Sequence, residues 1–95
     1  MFIVFLTYTN QKHLAAEFMQ SHMDWIASGI NDNIFLLVGS LVAGKGGCIL
    51  AHNISRNALM QQLNLDPFIE HNVVSADIVE LDAKIADKRL QFLMN

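Results

Sequence analysis

The chain alternates between short apolar runs and amphipathic stretches, and this pattern predicts strands and helices in turn. Met1–Tyr8 is apolar and rich in β-branched and aromatic residues, which indicates a buried strand. From Gln11 to about Ser28, apolar residues recur at helical spacing and predict an amphipathic helix. Gly29 is expected to end this helix, since glycine commonly stands just after the last helical turn.

A pair of strands and a second helix are predicted next. Ile34–Val42 and Cys48–His52 are apolar runs joined by a glycine-rich segment, which is typical of a β-hairpin. Ser55 is a suitable N-cap for the helix that follows, and Leu59 and Leu63 are expected on its inner face.

The last third of the chain completes the order β-α-β-β-α-β. Val73–Leu81 partly alternates between apolar and polar residues and predicts a fourth strand, while Ala83–Asn95 predicts a short C-terminal helix. This order predicts an α+β domain of the ferredoxin-like type over residues 1–82, in which a four-stranded antiparallel sheet carries both helices on one face. Residues 83–95 are expected to form a C-terminal helical extension of that domain.

The composition of the chain suggests that a partner subunit covers one face of the sheet. Of the 95 residues, 53% are apolar and 16% are charged, against about 25% charged in average chains. A four-stranded sheet with helices on one face leaves its other face bare, and an apolar bare face needs cover. We therefore expect a homodimer that packs two sheets together. The apolar runs are too short to span a membrane and no signal peptide precedes them, so a cytoplasmic protein is expected.

Charge and motif spacing argue against several other classes. The formal charge of −3 with no basic stripe excludes nucleic acid as an expected partner. The four histidines and the lone Cys48 lack the spacing of a metal site, so neither a metal nor a cofactor is expected. Gly39–Lys45 spells GxxxxGK, but Gly46 replaces the Ser or Thr of a phosphate-binding loop. A strand also follows in place of a helix, so the segment is predicted to be a hairpin loop.

His22 is the first candidate for chemistry. At about 100° per residue it falls within an arc of roughly 80° that also contains Leu14, Phe18 and Trp25, so it lies on the apolar face of the first helix. An imidazole there either bonds a backbone carbonyl at the edge of the core or acts as an acid or base.

Asp66 is the second candidate and also has two interpretations. Asp before Pro67 is a standard helix start, in which the carboxylate caps the first turn. Alternatively, the carboxylate orients His22 as a general base, a role that typically contributes about 10²–10⁴-fold in rate. Trp25 and Phe68 are candidates for the wall of a ligand pocket, or else ordinary core residues.

Three segments together resemble the YciI-like (YCII-related) family of the dimeric α+β barrel superfamily. They are His22–Ile26, Leu36–Ser40 and Asp66–Val74, the last of which is followed by Val79-Glu80-Leu81. The resemblance covers about residues 1–82 and implies a dimer with a pocket beside each first helix. It also implies a His–Asp pair at His22 and Asp66, in a family similar to muconolactone isomerases and dehydrochlorinases.

The chain departs from this family pattern in three ways. The Arg often found before the histidine is missing from Phe18–Ser21, Ser40 replaces the usual Pro, and the tail after Leu81 is longer than usual. Two hypotheses follow. The protein is a lyase- or isomerase-like enzyme acting on a small organic acid or lactone, with ligand contacts from Trp25, Phe68 and Ser40. Alternatively, it is a non-catalytic dimeric module that binds a small ligand or a protein.

Overall fold

The computed structural model describes residues 1–94 and shows an α+β fold. Four strands form one antiparallel sheet: β1 (Phe2–Tyr8), β2 (Phe35–Ser40), β3 (Gly46–Ala51) and β4 (Val74–Glu80). The helices are α1 (Ala15–Asn31), α2 (Arg56–Asn64) and α3 (Pro67–Glu70), with 3₁₀ helices at Lys12–Leu14 and Lys88–Leu93. The strand order β2-β3-β1-β4 confirms the predicted ferredoxin-like arrangement.

The core lies between the sheet and the helices. Side chains alternate across the sheet along β1, so Phe2, Val4 and Leu6 are buried on one face. Every helix from α1 to α3 contributes to the same apolar cluster, through Trp25, Leu59, Leu63 and Phe68. The helices therefore cover one face of the sheet only.

The opposite face of the sheet is apolar and open. Ile3 of β1 lies between Leu50 of β3 and Val79 of β4 in the strand register. Phe5 is 38% exposed and Leu37 of β2 is 61% exposed on the same face. An apolar surface that runs across all four strands is the feature from which the sequence predicts a second copy. The dimer itself stays a prediction.

The first helix ends at Asn31, three residues after Ser28, where the sequence predicts its end. Gly29 lies inside α1, which continues to Asn31, and the chain reverses at Asn33 with φ 61°. The Ile34 amide donates to the Gly29 carbonyl and the Asn33 amide donates to the Ile30 carbonyl, which is a Schellman motif. Gly29 is buried, and a Cβ there would overlap the Phe35 ring. Glycine is therefore required at this position because the Phe35 ring packs against it, and not because the helix ends there.

We expect Gly29→Ala to destabilise the protein by about 1–3 kcal/mol, because the added methyl group forces the Phe35 ring out of the core. This loss would appear even though Ala is the better helix former by about 1 kcal/mol. Urea denaturation measures the change, and Ser28→Ala on the exposed side of α1 is the matched control, expected within about 0.5 kcal/mol of wild type. A Gly29→Ala variant at least as stable as wild type would contradict the packing argument.

Other local predictions hold with small shifts at the element ends. Ser55 caps α2, and its side chain accepts a hydrogen bond from the Ala58 amide at 3.1 Å. Leu59 and Leu63 are buried beneath that helix. The hairpin strands are displaced slightly: β2 ends at Ser40 rather than Val42, and β3 begins at Gly46.

The C-terminal extension is helical over part of its predicted length. A 3₁₀ helix forms at Lys88–Leu93, whereas residues 81–87 are not helical and Asn95 lies outside the described residues. Asp87 caps this helix, and its hydrogen bond with the Arg89 side chain holds the pKa of the carboxyl below its usual value. The Phe92 ring packs edge-on against His52, with ring centroids 5.7 Å apart, so the extension crosses to the end of β3. None of the helices in residues 1–94 has the length and apolar character needed to cross a bilayer.

Candidate functional site

A pocket of about 310 Å³ opens between α1, α3 and the sheet. It lies where β1 and β2 end and where β3 and β4 begin, so all four strands contribute to its floor. The lining is mainly apolar, with three polar side chains from Tyr8, His22 and Ser40. The remaining lining residues are Leu6, Met19, Met23, Ile26, Val38, Gly39, Gly46, Gly47, Phe68 and Val74. An apolar hollow with a few polar groups is the usual form of a small-molecule site.

His22 lies on the buried face of α1, as the helical periodicity predicts, and is only 8% exposed. Its ring stacks on Phe68 of α3, with centroids 3.9 Å apart and planes inclined by 4°. Its Nδ1 atom lies 2.7 Å from Oδ1 of Asp66. The stacking and the hydrogen bond together fix both the plane of the imidazole and its rotation in that plane.

A single oxygen atom of Asp66 makes both the helix-cap contact and the contact with His22 that the two interpretations of the sequence require. The residue is fully buried and is the N-cap of α3, where Pro67 occupies the first helical position. Its Oδ1 accepts a hydrogen bond from the Phe68 amide at 3.0 Å and also faces His22 Nδ1. The helix start and the His–Asp pair are therefore not alternatives. The cap orients the carboxylate toward the histidine.

The pair defines which nitrogen of His22 is available to a ligand. A carboxylate oxygen can only accept, so Nδ1 must donate the hydrogen bond to Asp66. In the neutral ring Nε2 then carries a lone pair. Nε2 has no hydrogen-bond partner within residues 1–94, and His22 is one of the residues that line the pocket. The arrangement can accept a proton from a molecule bound there.

The pair of His22 and Asp66 is expected to contribute little to the free energy of unfolding. Oδ2 of Asp66 is buried and has no hydrogen-bond partner in the described part of the chain. A buried polar atom left without a partner costs about 1–3 kcal/mol. Buried ion pairs are also often no more stabilising than apolar residues of the same size. The cost of burying Asp66 favours a role in chemistry over a purely structural one.

Of the other three candidate ligand residues, two line the pocket and one does not. Phe68 forms part of the pocket wall, and Ser40 lies in the lining at the exposed end of β2. Trp25 is buried next to His22, with ring centroids 6.1 Å apart, and is not among the residues that line the pocket, so its ligand contact stays a prediction. Its Nε1 donates to the Gln62 carbonyl at 3.0 Å and its ring packs edge-on against Phe35. Trp25 is a core residue because α1 turns its indole toward α2 and β2.

Tyr8 is a pocket residue that the sequence interpretation missed. It shares the inner face of β1 with Leu6, but it stands at the strand end, where the pocket opens. Its hydroxyl has no hydrogen-bond partner among residues 1–94, and the Lys12 ammonium lies 4.9 Å from its ring centroid. The alternation along β1 was the available signal, since Tyr8 is the one inward position of that strand with a polar atom.

The remaining histidines do not line the pocket, and the glycine-rich segment contributes Gly46 to the lining without forming a phosphate-binding loop. His71 stacks on Phe18 with centroids 4.0 Å apart, and His13 is exposed on the first 3₁₀ helix. Across residues 1–94, no group of three or more His, Cys, Asp or Glu side chains is placed to hold a metal ion. Residues 41–45 form the loop of the predicted hairpin, and β3 follows where a phosphate-binding loop needs a helix.

The fold and the site define a small α+β protein with a histidine–aspartate pair at an apolar pocket. A scan against models of protein families finds no match to this chain, and a search of curated proteins also finds none.

Proposed function

We propose that this protein is a dimeric, YciI-like enzyme of the lyase or isomerase type, in which His22 acts as general base on a small organic acid or lactone. One observation carries the proposal: His22 lines an apolar pocket while Asp66 holds its Nδ1, and its Nε2 has no hydrogen-bond partner within residues 1–94. A base of this kind typically contributes about 10²–10⁴-fold to a proton-transfer step.

The reaction begins with removal of a proton from a carbon next to a carbonyl group. The C–H bond breaks, its proton moves to Nε2 of His22, and its electron pair moves onto the carbonyl oxygen. Asp66 balances the imidazolium that forms, which needs no rearrangement because the carboxylate is already in place. Return of the proton to a different carbon completes an isomerisation, while loss of a group from the neighbouring carbon completes an elimination.

The second copy is part of the proposal. The open face of the sheet contains Ile3, Phe5 and Leu37, and the side chains of Phe5 and Leu37 are exposed there. Packing this face against the same face of another copy removes the apolar surface from water at about 25 cal/mol per Å². A two-fold arrangement uses one patch twice, which suits a chain of this size.

The test is proton exchange on a small lactone. We use α-angelica lactone, whose ring double bond is not conjugated with its carbonyl, in D₂O. The rate at which the proton signal of the carbon next to the carbonyl disappears is followed by ¹H NMR. The protein is expected to accelerate this exchange above the rate in buffer and with heat-denatured protein. A wild-type rate equal to the buffer rate would contradict the enzymatic proposal.

A non-catalytic ligand-binding module is the second candidate, and the composition of the pocket favours it. No Lys, Arg, Asp or Glu side chain lines the pocket within residues 1–94, so the site resembles a simple apolar binding cavity. A bound ligand raises the free energy of unfolding by RT ln(1 + [L]/Kd). A lactone that raises the melting temperature without exchange of its protons would select this second candidate.

A further inference from the structure

We infer that Tyr8 is a further catalytic residue of the proposed reaction, and that the substrate is an uncharged carbonyl compound. In this assignment the Tyr8 hydroxyl donates a hydrogen bond to the carbonyl oxygen while His22 removes the neighbouring proton. The inference rests on the proposed function of His22, and it adds the group that stabilises the negative charge and the charge state of the substrate.

Tyr8 is held by the sheet, so its hydroxyl has a defined position in the pocket. The residue pairs with Val74 of β4, and its backbone amide donates to the Lys45 carbonyl at 3.0 Å. Lys12 lies over the ring at 4.9 Å from the centroid, a cation–π contact that further restricts the ring. A donor fixed before the reaction stabilises developing charge without reorganisation.

The hydroxyl is available to a ligand. A half-buried tyrosine hydroxyl usually finds a hydrogen-bond partner in its own protein. The hydroxyl of Tyr8 has none within residues 1–94, although Tyr8 lines the pocket. His22 comes from the helix layer and Tyr8 from the sheet, and both line the same pocket, so a molecule bound there can contact both residues.

Ser40 fits the role of donor less well. It stands at the exposed end of β2, where water competes for its hydroxyl, and that hydroxyl rotates freely about a single torsion. Tyr8 carries its hydroxyl on a rigid ring whose position follows from two torsions. The structure therefore assigns the hydrogen bond to Tyr8 and leaves Ser40 at the edge of the pocket.

The lining determines the charge of the substrate. Within residues 1–94 it contains no Lys or Arg, and Lys12 is placed over the Tyr8 ring outside the lining. A carboxylate in such a pocket would lose its hydration without gaining a cation, which is costly. An uncharged lactone carries one carbonyl oxygen for Tyr8 and one acidic C–H bond for His22.

Proton transfer from the lactone to His22 and back needs no further reactant. The C–H bond breaks, its proton goes to Nε2 of His22, and its electron pair forms the enolate. The enolate oxygen accepts the Tyr8 hydrogen bond while Tyr8 keeps its proton. Return of the proton from His22 to the ring restores the neutral lactone or its conjugated isomer.

The test compares Tyr8→Phe with wild type in the exchange of α-angelica lactone in D₂O. We expect the maximal exchange rate to fall by about 10²–10³-fold, the usual effect of losing one donor to an oxyanion. KM should change little, because the bond strengthens mainly as charge develops. The variant should fold, since the hydroxyl has no partner in the described chain, and circular dichroism with thermal melting checks this. Thr7→Val is the matched control: it removes a hydroxyl from the same strand on the opposite face and should exchange at the wild-type rate.

The outcomes separate the two proposals. Wild-type exchange by Tyr8→Phe, with loss of exchange in His22→Gln, would overturn the role of Tyr8 and leave the role of His22 intact. A wild-type protein that does not exceed the buffer rate would overturn the proposed function itself. The charge of the substrate is tested with a lactone that carries a ring carboxylate. It should exchange far more slowly than α-angelica lactone, and equal rates would overturn the uncharged assignment.

Discussion

Replacing His22 with Gln is expected to slow the exchange of lactone protons by about 10²–10⁴-fold, which is the usual contribution of a general base. Gln retains a polar side chain of similar reach but cannot accept the proton at the pH of the assay. The loss should appear in the maximal rate more than in KM, because the imidazole acts on the transferred proton. ¹H NMR of the lactone in D₂O measures both constants over a range of lactone concentrations.

The matched control is His71→Gln. His71 is exposed and stacks on Phe18 outside the pocket, so its replacement should leave the rate unchanged. Circular dichroism shows whether each variant is folded. A folded His22→Gln variant that exchanges at the wild-type rate would remove the histidine from the mechanism.

Asp66→Asn extends the same experiment to the partner of the histidine. In wild type the ¹⁵N NMR shifts of His22 are expected to show a protonated Nδ1 and an unprotonated Nε2, because the carboxylate can only accept. An amide can donate as well as accept, so the variant should lose this fixed tautomer and part of its exchange rate. Unchanged ¹⁵N shifts in Asp66→Asn would show that the carboxylate does not determine the state of the ring.

Phe5→Glu is expected to convert the proposed dimer into a monomer. Phe5 lies on central strand β1 on the open face, and a two-fold axis near it brings two new carboxylates close together. Like charges set against each other cost several kcal/mol, which raises the dimer dissociation constant by about 10³-fold or more. Size-exclusion chromatography with light scattering should show the change to the 10.6 kDa mass of one chain.

The control for this change is Leu65→Glu. Leu65 is also an exposed apolar residue, 67% exposed, but it follows α2 in the helix layer. Its replacement should leave the mass at twice that of the chain. A monodisperse wild-type monomer at working concentration, or a Phe5→Glu variant that keeps the doubled mass, would contradict a dimer formed through the sheet.

The sequence alone determined the order of the elements and the inner faces of most of them. These properties follow from local periodicity: alternation along β1 places Phe2, Val4 and Leu6 together, and helical spacing places His22 on a buried stripe. Ser55 capped its helix as expected, because a cap involves only neighbouring residues. The uncovered apolar face also follows from pattern, since a strand that is apolar on both sides needs contacts on both sides.

Only the tertiary structure decided how these faces meet. His22 and Asp66 are 44 residues apart, and no local pattern states that one carboxylate oxygen serves both a helix cap and an imidazole. Trp25 shares the stripe of His22, yet its indole packs toward Phe35 instead of the pocket. Periodicity gives the angle of a residue about its own element, whereas the neighbour that it meets depends on the packing of distant segments. For the same reason, the sequence does not reveal that Gly29 makes room for the Phe35 ring and does not end the helix. It also does not reveal that Tyr8 lines the pocket, because that pocket forms only when the sheet and α1 pack together.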